Sequence, residues 1–237
     1  MIAIVEASVH SQPATNVLAG TREPLLVYLH GLGEIGGQRV EQVEKHGPWE
    51  HVRSLKDGYH AETRAEIARF HVLGFHLERG DWDGAQLNDC LQAYIADHQE
   101  IDSDRIYLTG VSLGGRGVLR LTLTSLRISA LAVFCPAGGD VEYSDTDIER
   151  FRLVPIYFFG CPMDTTVPFR GTQALQQRIG ARSSRLRVVT VDELAFGSSP
   201  HICWSHVYGH PDLYRWLRNP PLDPRSWPEI APLPYAT

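Results

Sequence analysis

The sequence predicts an α/β protein in which helices cover both faces of a mostly parallel central sheet. Three observations indicate this fold class: short apolar runs of strand length recur along the 237-residue chain, helical patterns lie between them, and polar motifs follow directly after several of the runs. Strands that alternate with helices are joined by right-handed crossovers, which make the strands parallel and place helices on both faces of the sheet.

The first predicted strand is Leu25–Leu29, a continuous apolar run of the kind expected for a strand that is buried on both faces. The other predicted strands are His71–Leu77, Arg105–Thr109, Ala130–Phe134, Pro155–Phe159 and Leu186–Val191. The predicted helices are Ala61–Phe70, Asp83–Glu100, Leu113–Thr124, Gly171–Ile179 and Pro211–Leu217. We expect residues 35–59 to form an irregular segment near the functional site.

Length and composition predict a single domain over residues 1–218. A chain of this size buries about 70–75% of its unfolded surface, which is enough for a sizeable core. Residues 219–237 contain six prolines, a density that disfavours a regular helix or a central strand. We expect this segment to be an extended tail on the surface or against a neighbouring subunit of a homo-oligomer; a polyproline ligand is the less favoured alternative.

Charge and cysteine usage narrow the function classes. The chain has 22 Lys and Arg against 28 Asp and Glu, a net charge of −6, so we expect neither a nucleic-acid nor a membrane partner. The N-terminus has no basic start or cleavage-like site, and no apolar run is long enough for a membrane span, so we expect a cytoplasmic protein. The cysteines lack metal-ligand spacing and are expected to be buried free thiols. They are Cys90, Cys135, Cys161 and Cys203.

The most informative motif is G-V-S-L-G at residues 110–114, which follows the predicted strand Arg105–Thr109 and begins the helix Leu113–Thr124. A serine at so sharp a strand-to-helix turn adopts strained backbone angles, so its neighbours two residues away must lack side chains. The N-terminus of the helix favours negative charge beside it. The pattern therefore predicts that Ser112 is a nucleophile.

Other reactive residue types also follow predicted strands, where ligands of parallel sheets bind. Asp164 follows the strand Pro155–Phe159, and His201 follows the last strand after a loop. The order Ser, Asp, His along the chain is that of the α/β-hydrolase fold. A histidine can take the proton of Ser112, and a carboxylate can orient the imidazole, so the predicted catalytic triad is Ser112, His201 and Asp164.

A tetrahedral oxyanion requires two preorganised N–H donors. The backbone N–H of Leu113, directly after the nucleophile, is the natural first donor. The loop after the first strand should supply the second, and we assign it to Leu32. His30 in the same loop is expected to support the loop and not to transfer protons.

Four sequence blocks resemble the phospholipase/carboxylesterase-like hydrolases, in particular the branch of predicted peptidases and polyhydroxybutyrate-depolymerase-like esterases. Residues 101–115, I-D-S-D-R-I-Y-L-T-G-V-S-L-G-G, are similar to the stretch around that family's nucleophile. L-H-G-L-G-E at residues 29–34, D-T-T-V-P at 164–168 and the H-x-x-W ending over 201–217 are similar to its other motifs. The resemblance implies an α/β-hydrolase fold and a serine hydrolase that acts on esters.

The resemblance also implies which histidine is the base, because the family's base stands three residues before a tryptophan. His201 stands three residues before Trp204, whereas His206 and His210 are expected to be surface or helix-flanking residues. Pro200 departs from the family's glycine at that position and makes the loop stiffer.

Some assignments have alternatives. Three other carboxylates could orient the base: Asp140, Asp192 and Glu193. Three tryptophans could line an acyl pocket, although packing in the core is their usual role: Trp49, Trp82 and Trp204.

The sequence therefore predicts a serine carboxylesterase that cleaves small to medium acyl esters through an acyl-enzyme intermediate, with no metal or organic cofactor. A peptidase or amidase with the same triad is one alternative. A hydrolase-like binding protein that has kept the fold without the chemistry is another.

Overall fold

Six parallel strands form one sheet in the computed structural model, which describes residues 22–36, 39–53, 61–139, 142–180, 185–190, 199–228 and 230. The strands are β1 (Glu23–Leu29), β2 (His71–Phe75), β3 (Ile101–Val111), β4 (Ala130–Phe134), β5 (Ile156–Gly160) and β6 (Leu186–Thr190). Their order across the sheet is β2-β1-β3-β4-β5-β6, and every neighbouring pair is parallel. The predicted fold class is confirmed.

Nine α-helices belong to the described part of the chain. They are α1 (Arg39–Glu44), α2 (Pro48–Arg53), α3 (Ala61–Ile67), α4 (Gly84–Asp97), α5 (Leu113–Thr122), α6 (Asp145–Phe151), α7 (Phe169–Gly180), α8 (Trp204–Tyr208) and α9 (Pro211–Arg218). Two short 3₁₀ helices, Leu32–Glu34 and Pro224–Ser226, complete the described elements.

Two apolar cores cover the two faces of the sheet. Along β1, Leu26 and Tyr28 belong to one core, whereas Leu25, Val27 and Leu29 belong to the other, because successive side chains of a strand point to opposite faces. The first core contains buried residues of α1, α2, α3, α8 and α9, and the second contains those of α4, α5, α6 and α7. All of β1 from Leu25 to Leu29 is fully buried, which explains its continuous apolar sequence.

Residues 35–59 are not irregular as expected, because their described part contains α1 and α2. Val43 and Trp49 from these helices are buried in the first core. The helices are only six residues long, too short for a hydrophobic period to be recognised. Residues 37, 38 and 54–59 lie outside the described residues.

Two further helices were not predicted, and several boundaries differ. Helix α6 begins with a capping box in which Ser144 accepts from the Asp147 backbone and Asp147 accepts from the Ser144 backbone. Helix α8 has five residues. Strand β2 ends at Phe75, two residues before the predicted end, and Val191, the predicted end of β6, lies outside the described residues.

The proline-rich segment packs against the rest of the chain over its described residues. Its 3₁₀ helix, Pro224–Ser226, is a short departure from the extended form that we expected. Trp227 and Ile230 are buried in the first core, and the Tyr157 hydroxyl donates a hydrogen bond to the Pro228 carbonyl oxygen. Residues 231–237 lie outside the described residues.

The four cysteines are free thiols, and all but the half-buried Cys90 are buried. Within the described ranges, no helix has the length and apolar character that crossing a membrane requires.

Candidate active site

Ser112 lies between the end of β3 and the start of α5, with backbone angles of φ 53° and ψ −116°. A side-chain-bearing residue adopts such angles only where its surroundings enforce them. The Ser112 N–H donates to the Phe134 carbonyl oxygen at 2.8 Å, and the Ser112 carbonyl oxygen accepts from the Ala137 N–H at 3.1 Å. The loop after β4 therefore fixes the strained serine.

The two glycines of the motif are required by close backbone contacts. A Cβ on Gly110 would lie 2.6 Å from the Gly114 carbonyl oxygen, and a Cβ on Gly114 would lie 2.0 Å from the Leu29 carbonyl oxygen. No side chain fits at either position. The second contact also joins the start of α5 to the end of β1, which is where the loop containing Leu32 begins.

The structure places the three predicted triad residues in one hydrogen-bonded chain. The His201 Nε2 atom lies 3.0 Å from the Ser112 hydroxyl, and the His201 Nδ1 atom lies 2.7 Å from Asp164 Oδ2. Along the sequence, His201 is 37 positions from Asp164 and 89 positions from Ser112. The parallel strands bring all three residues to the carboxyl ends of the strands.

Asp164 is nearly buried and held by the turn that follows β5. Its Oδ1 atom accepts hydrogen bonds from the Thr166 N–H at 2.8 Å and the Val167 N–H at 2.9 Å, which leaves Oδ2 for His201. Burial raises the pKa of Asp164, but the hydrogen bonds from His201 and from the two backbone N–H groups outweigh it and lower that pKa below its usual value. Asp164 is therefore a carboxylate.

The pKa of His201 is shifted in the opposite direction to that of Asp164. Burial lowers its pKa, but the hydrogen bonds to Asp164 and Cys135 and the charge of Asp164 outweigh burial and raise that pKa to about 9. The ring of Trp204 packs edge-on against the His201 ring, with 5.2 Å between the ring centroids. The carboxylate and the indole together fix the orientation of the imidazole.

His30 fastens the loop after β1, as expected. Its Nε2 atom accepts a hydrogen bond from the Leu77 N–H at 2.9 Å, so the proton is on Nδ1, which donates to the Gly31 carbonyl oxygen at 2.8 Å. The Trp82 indole N–H also donates to the His30 carbonyl oxygen. Burial lowers the pKa of His30 to about 4, so His30 is neutral at neutral pH.

Leu32 and Leu113 occupy the first positions of two helices. Leu32 begins the 3₁₀ helix Leu32–Glu34, and Leu113 begins α5. The first N–H groups of a helix have no acceptor within that helix. A Cβ on Gly31 would lie 3.5 Å from the Ser112 Cβ atom, so the start of the 3₁₀ helix lies directly beside the serine.

An ion-pair cluster beside this loop was not predicted. The Glu34 Oε1 atom lies 3.3 Å from Lys45 Nζ and 3.5 Å from His46 Nε2, and the His46 ring packs edge-on against Trp204. Burial lowers the pKa of His46, but hydrogen bonds to Glu34 and Glu50 outweigh burial and raise it to about 8. The cluster joins the loop after β1 to the turn between α1 and α2.

Cys135 was also not predicted to lie at this site. It directly follows β4 and has a φ of 43°, and its Sγ atom lies 3.4 Å from Cys203 Sγ. The Cys135 Sγ atom, a carboxylate oxygen of Asp164 and a ring nitrogen of His201 all lie within 4.8 Å of one another. Its position after a parallel strand is the signal that could have found it, as for Ser112 and Asp164.

The remaining histidine, tryptophan and carboxylate candidates have other positions. His206 is not a surface or helix-flanking residue as expected, because it is buried within α8. His210 does flank a helix: it is the N-cap of α9, where its Nδ1 atom accepts from the Asp212 N–H. The three tryptophans Trp49, Trp82 and Trp204 are all buried. Of these, it is Trp204 whose ring packs against His201. The alternative carboxylates lie outside the described residues: Asp140, Asp192 and Glu193.

A hollow of about 560 Å³ lies between the loops after β4 and β5. Its lining includes Gly138 and Gly139 from the first loop and Val167 and Pro168 from the second. Val167, whose N–H donates to Asp164, lines the hollow, whereas Ser112, Asp164 and His201 do not.

No protein-family model matches the sequence, and neither does any curated protein. Solved structures resemble the fold. A thermostable esterase has a TM-score of 0.69 at 20% identity, over 86% of this chain and 56% of that one. Thermogutta terrifontis esterase 2, phosphonylated by sarin, has a TM-score of 0.56 at 14% identity, over 90% and 91% of the two chains. A candidate dienelactone hydrolase from Klebsiella pneumoniae subsp. pneumoniae has a TM-score of 0.53 at 15% identity, over 85% and 89%.

The chain thus spans just over half of the length of the first of these structures. At these identities the likeness shows the fold, and the fold is that of the α/β-hydrolases.

Proposed function

We propose that this protein is a serine carboxylesterase in which Ser112, His201 and Asp164 are the catalytic triad. The observation that carries the proposal is the hydrogen-bonded chain from the Ser112 hydroxyl through His201 to Asp164, with Ser112 held in the strained turn of a nucleophile. The prediction from sequence concerned the same three residues.

In the proposed acylation step, His201 Nε2 takes the hydroxyl proton while Ser112 Oγ attacks the ester carbonyl carbon. Asp164 keeps the proton of His201 on Nδ1 and stabilises the imidazolium that forms. The negative oxygen of the tetrahedral intermediate accepts hydrogen bonds from the Leu32 and Leu113 N–H groups, each typically contributing about 2.7–4 kcal/mol. The bond to the alcohol then breaks, and His201 gives its proton to the departing alcohol.

In the proposed deacylation step, a water molecule repeats this sequence on the acyl-enzyme. His201 takes a proton from the water, the hydroxide attacks the acyl carbon, and Ser112 leaves with the proton returned by His201.

The named neighbours support the choice of esters over other substrates. Two of the three structures described above are esterases by name, and one of them is recorded as phosphonylated by sarin, an organophosphorus reagent. The four motif blocks between residues 29 and 217 support membership of the phospholipase/carboxylesterase-like group.

The test is covalent labelling together with hydrolysis. A fluorophosphonate probe should modify one residue, identified as Ser112 by peptide mass spectrometry, and the Ser112→Ala variant should lose both labelling and hydrolysis of short p-nitrophenyl esters. Ser129→Ala is the matched control. Ser129 directly precedes β4 and so lies at the amino ends of the strands, whereas Ser112 lies at their carboxyl ends.

Four results would count against the proposal. Labelling at another residue or unchanged hydrolysis by Ser112→Ala would reject the assigned nucleophile. Failure of the folded protein to react at all would favour a hydrolase-like binding protein. A paired assay on an ester and an amide of the same acyl group would reject esters as the preferred class if the amide were cleaved faster.

A further inference from the structure

One thiol of a close pair, Cys135, lies beside the imidazole and carboxylate of the proposed triad, and the second, Cys203, lies beside Cys135. The Sγ atoms of Cys135 and Cys203 are 3.4 Å apart. Ligand atoms of Cys135, Asp164 and His201 all lie within 4.8 Å of one another. Both cysteines are buried, with 2% and 0% of their surface exposed. The proposed mechanism uses neither thiol.

The fold itself produces this grouping. Cys135 directly follows β4, and its N–H donates to the Phe159 carbonyl oxygen at 2.9 Å, which fixes the residue in its left-handed conformation at the carboxyl edge of the sheet. Cys203 is the N-cap of α8 and follows His201 by two residues. The two cysteines are 68 positions apart, so no sequence spacing reveals them as a pair.

The grouped atoms are ligands of one chemical class. Two sulfur atoms, an imidazole nitrogen and a carboxylate oxygen are the donors that a tetrahedral zinc ion takes in proteins. Such a mixed set favours a borderline-soft divalent cation over magnesium or calcium, which prefer oxygen ligands.

We propose that Cys135, Cys203, His201 and Asp164 form a binding site for a zinc-class divalent cation. Zinc bonds of about 2.0–2.3 Å require neighbouring ligand atoms to lie roughly 3.3–3.8 Å apart in a tetrahedron. For two sulfur ligands the separation is about 3.8 Å, so both the 3.4 Å between the sulfur atoms and the 2.7 Å between His201 and Asp164 must widen. Cys203 must also move toward the ion, because its sulfur lies outside the group of atoms within 4.8 Å of one another. The ion takes the place of the proton in the hydrogen bond between His201 and Asp164, so this proton and the two thiol protons pass to solvent.

The consequence for activity rests on the proposed function. An imidazole that is bound to a metal ion, or turned away from Asp164 by one, cannot take the proton of Ser112. Metal binding therefore inhibits ester hydrolysis, and a chelator restores it. The binding step does not depend on the proposed function, because it needs only the four ligands.

The experiment uses the full chain, titrated with cadmium and with zinc. Cadmium bound to thiolate has an ultraviolet charge-transfer band, which reports binding without any substrate. We expect saturation at one cadmium ion per chain. In parallel, zinc should inhibit hydrolysis of a p-nitrophenyl ester, and the inhibition should reverse on addition of EDTA.

The variants separate this site from other thiols. Cys135→Ser and Cys203→Ser should each raise the cadmium concentration at half-saturation by at least about tenfold, since removing a direct ligand should cost no less than removing an outer-shell partner. His201→Gln should also weaken cadmium binding. Cys90→Ser, on α4, and Cys161→Ser, a buried thiol after β5, are the matched controls and should bind as the wild type does.

Circular dichroism establishes that each variant is folded, and if Cys135→Ser is not, the Cys203→Ser and His201→Gln titrations decide. An unchanged cadmium band in Cys203→Ser or in a folded Cys135→Ser would overturn the proposed site, as would loss of the band in a control. Saturation of an active enzyme without inhibition would also overturn it. If the metal-free wild type hydrolyses no ester, the proposed function fails, while the cadmium titration still tests the site.

Discussion

Two histidines at the carboxyl edge of the sheet, His30 and His201, have opposite properties. His30 is fully buried, its two ring nitrogens bond to backbone groups, and its pKa falls to about 4. His201 is half-buried and bonds to the Ser112 hydroxyl and the Asp164 carboxylate, and its pKa rises to about 9. The partners of an imidazole, more than its place in the fold, decide whether it holds a loop in place or is positioned to accept a proton.

The largest expected effect on kcat comes from replacing His201, with the same replacement at His30 as the comparison. His201→Gln should lower kcat for a p-nitrophenyl ester by about 10⁶-fold, as loss of a triad base typically does. His30→Gln should lower kcat by at most about 10²–10³-fold, because it only displaces the loop that carries the Leu32 N–H. Steady-state kinetics on the two purified variants measures both effects.

The same pair of variants separates catalysis from stability. His30→Gln leaves the buried Leu77 N–H without its acceptor, which typically costs about 1–3 kcal/mol, and urea unfolding measures that loss. Equal losses of kcat in the two variants would mean that His201 has no larger part in catalysis than His30.

The next largest effect should come from the carboxylate that distinguishes His201 from His30. In Asp164→Asn, one side-chain oxygen can still accept from the Thr166 and Val167 N–H groups, which places the amide NH₂ against His201 Nδ1. The imidazole then adopts the wrong tautomer, and kcat should fall by about 10⁴-fold with little change in KM. A decrease of tenfold or less would mean that another carboxylate orients the base.

Most of the sheet could be predicted because each strand is recorded in local sequence. Ala130–Phe134 has the predicted bounds, and Leu25–Leu29 lies wholly within β1, since strands buried on both faces are continuously apolar. Helices α1 and α2 could not be predicted, because six residues are too few for a helical period.

The candidate site, too, has residues that the sequence predicts and contacts that it does not. Ser112, Asp164 and His201 could be proposed because each directly follows a strand or matches a motif, and they do lie within hydrogen-bonding distance. The pairing of Cys135 with Cys203 depends on packing between distant segments, which no local pattern records. The same holds for the contact of Glu34 with His46.

A smaller effect should appear in the pH dependence of kcat/KM. In the proposed mechanism His201 must be neutral to accept the Ser112 proton, so activity should rise with pH. The hydrogen bond to Cys203 and burial raise the pKa of the Cys135 thiol, so Cys135 is uncharged at neutral pH and Asp164 is the charge that raises the pKa of His201.

The half-maximal point should therefore lie between the ordinary histidine value of 6.5 and about 9. Measuring kcat/KM from about pH 6 to 10 at constant ionic strength gives this point. The residual activity of Asp164→Asn should reach half of its maximum at a lower pH. A half-maximal point below 6.5 in the wild type would show that Asp164 does not stabilise the imidazolium.

The smallest effect is on stability, and its sign differs between the two histidines. The folded protein depresses the pKa of His30 from 6.5 to about 4, so the contribution of His30 is complete above pH 6.5 and is lost as the pH falls toward 4. It raises the pKa of His201 from 6.5 to about 9, so that contribution is complete below pH 6.5 and is lost as the pH rises toward 9.

The free energy of unfolding, measured with urea across this range for the wild type and both Gln variants, isolates each histidine. The difference between wild type and His30→Gln should shrink in acid, and that for His201→Gln should shrink in base. Differences that shrink in the same direction would mean that both imidazoles have the same kind of partner, which the backbone bonds of His30 and the carboxylate bond of His201 exclude.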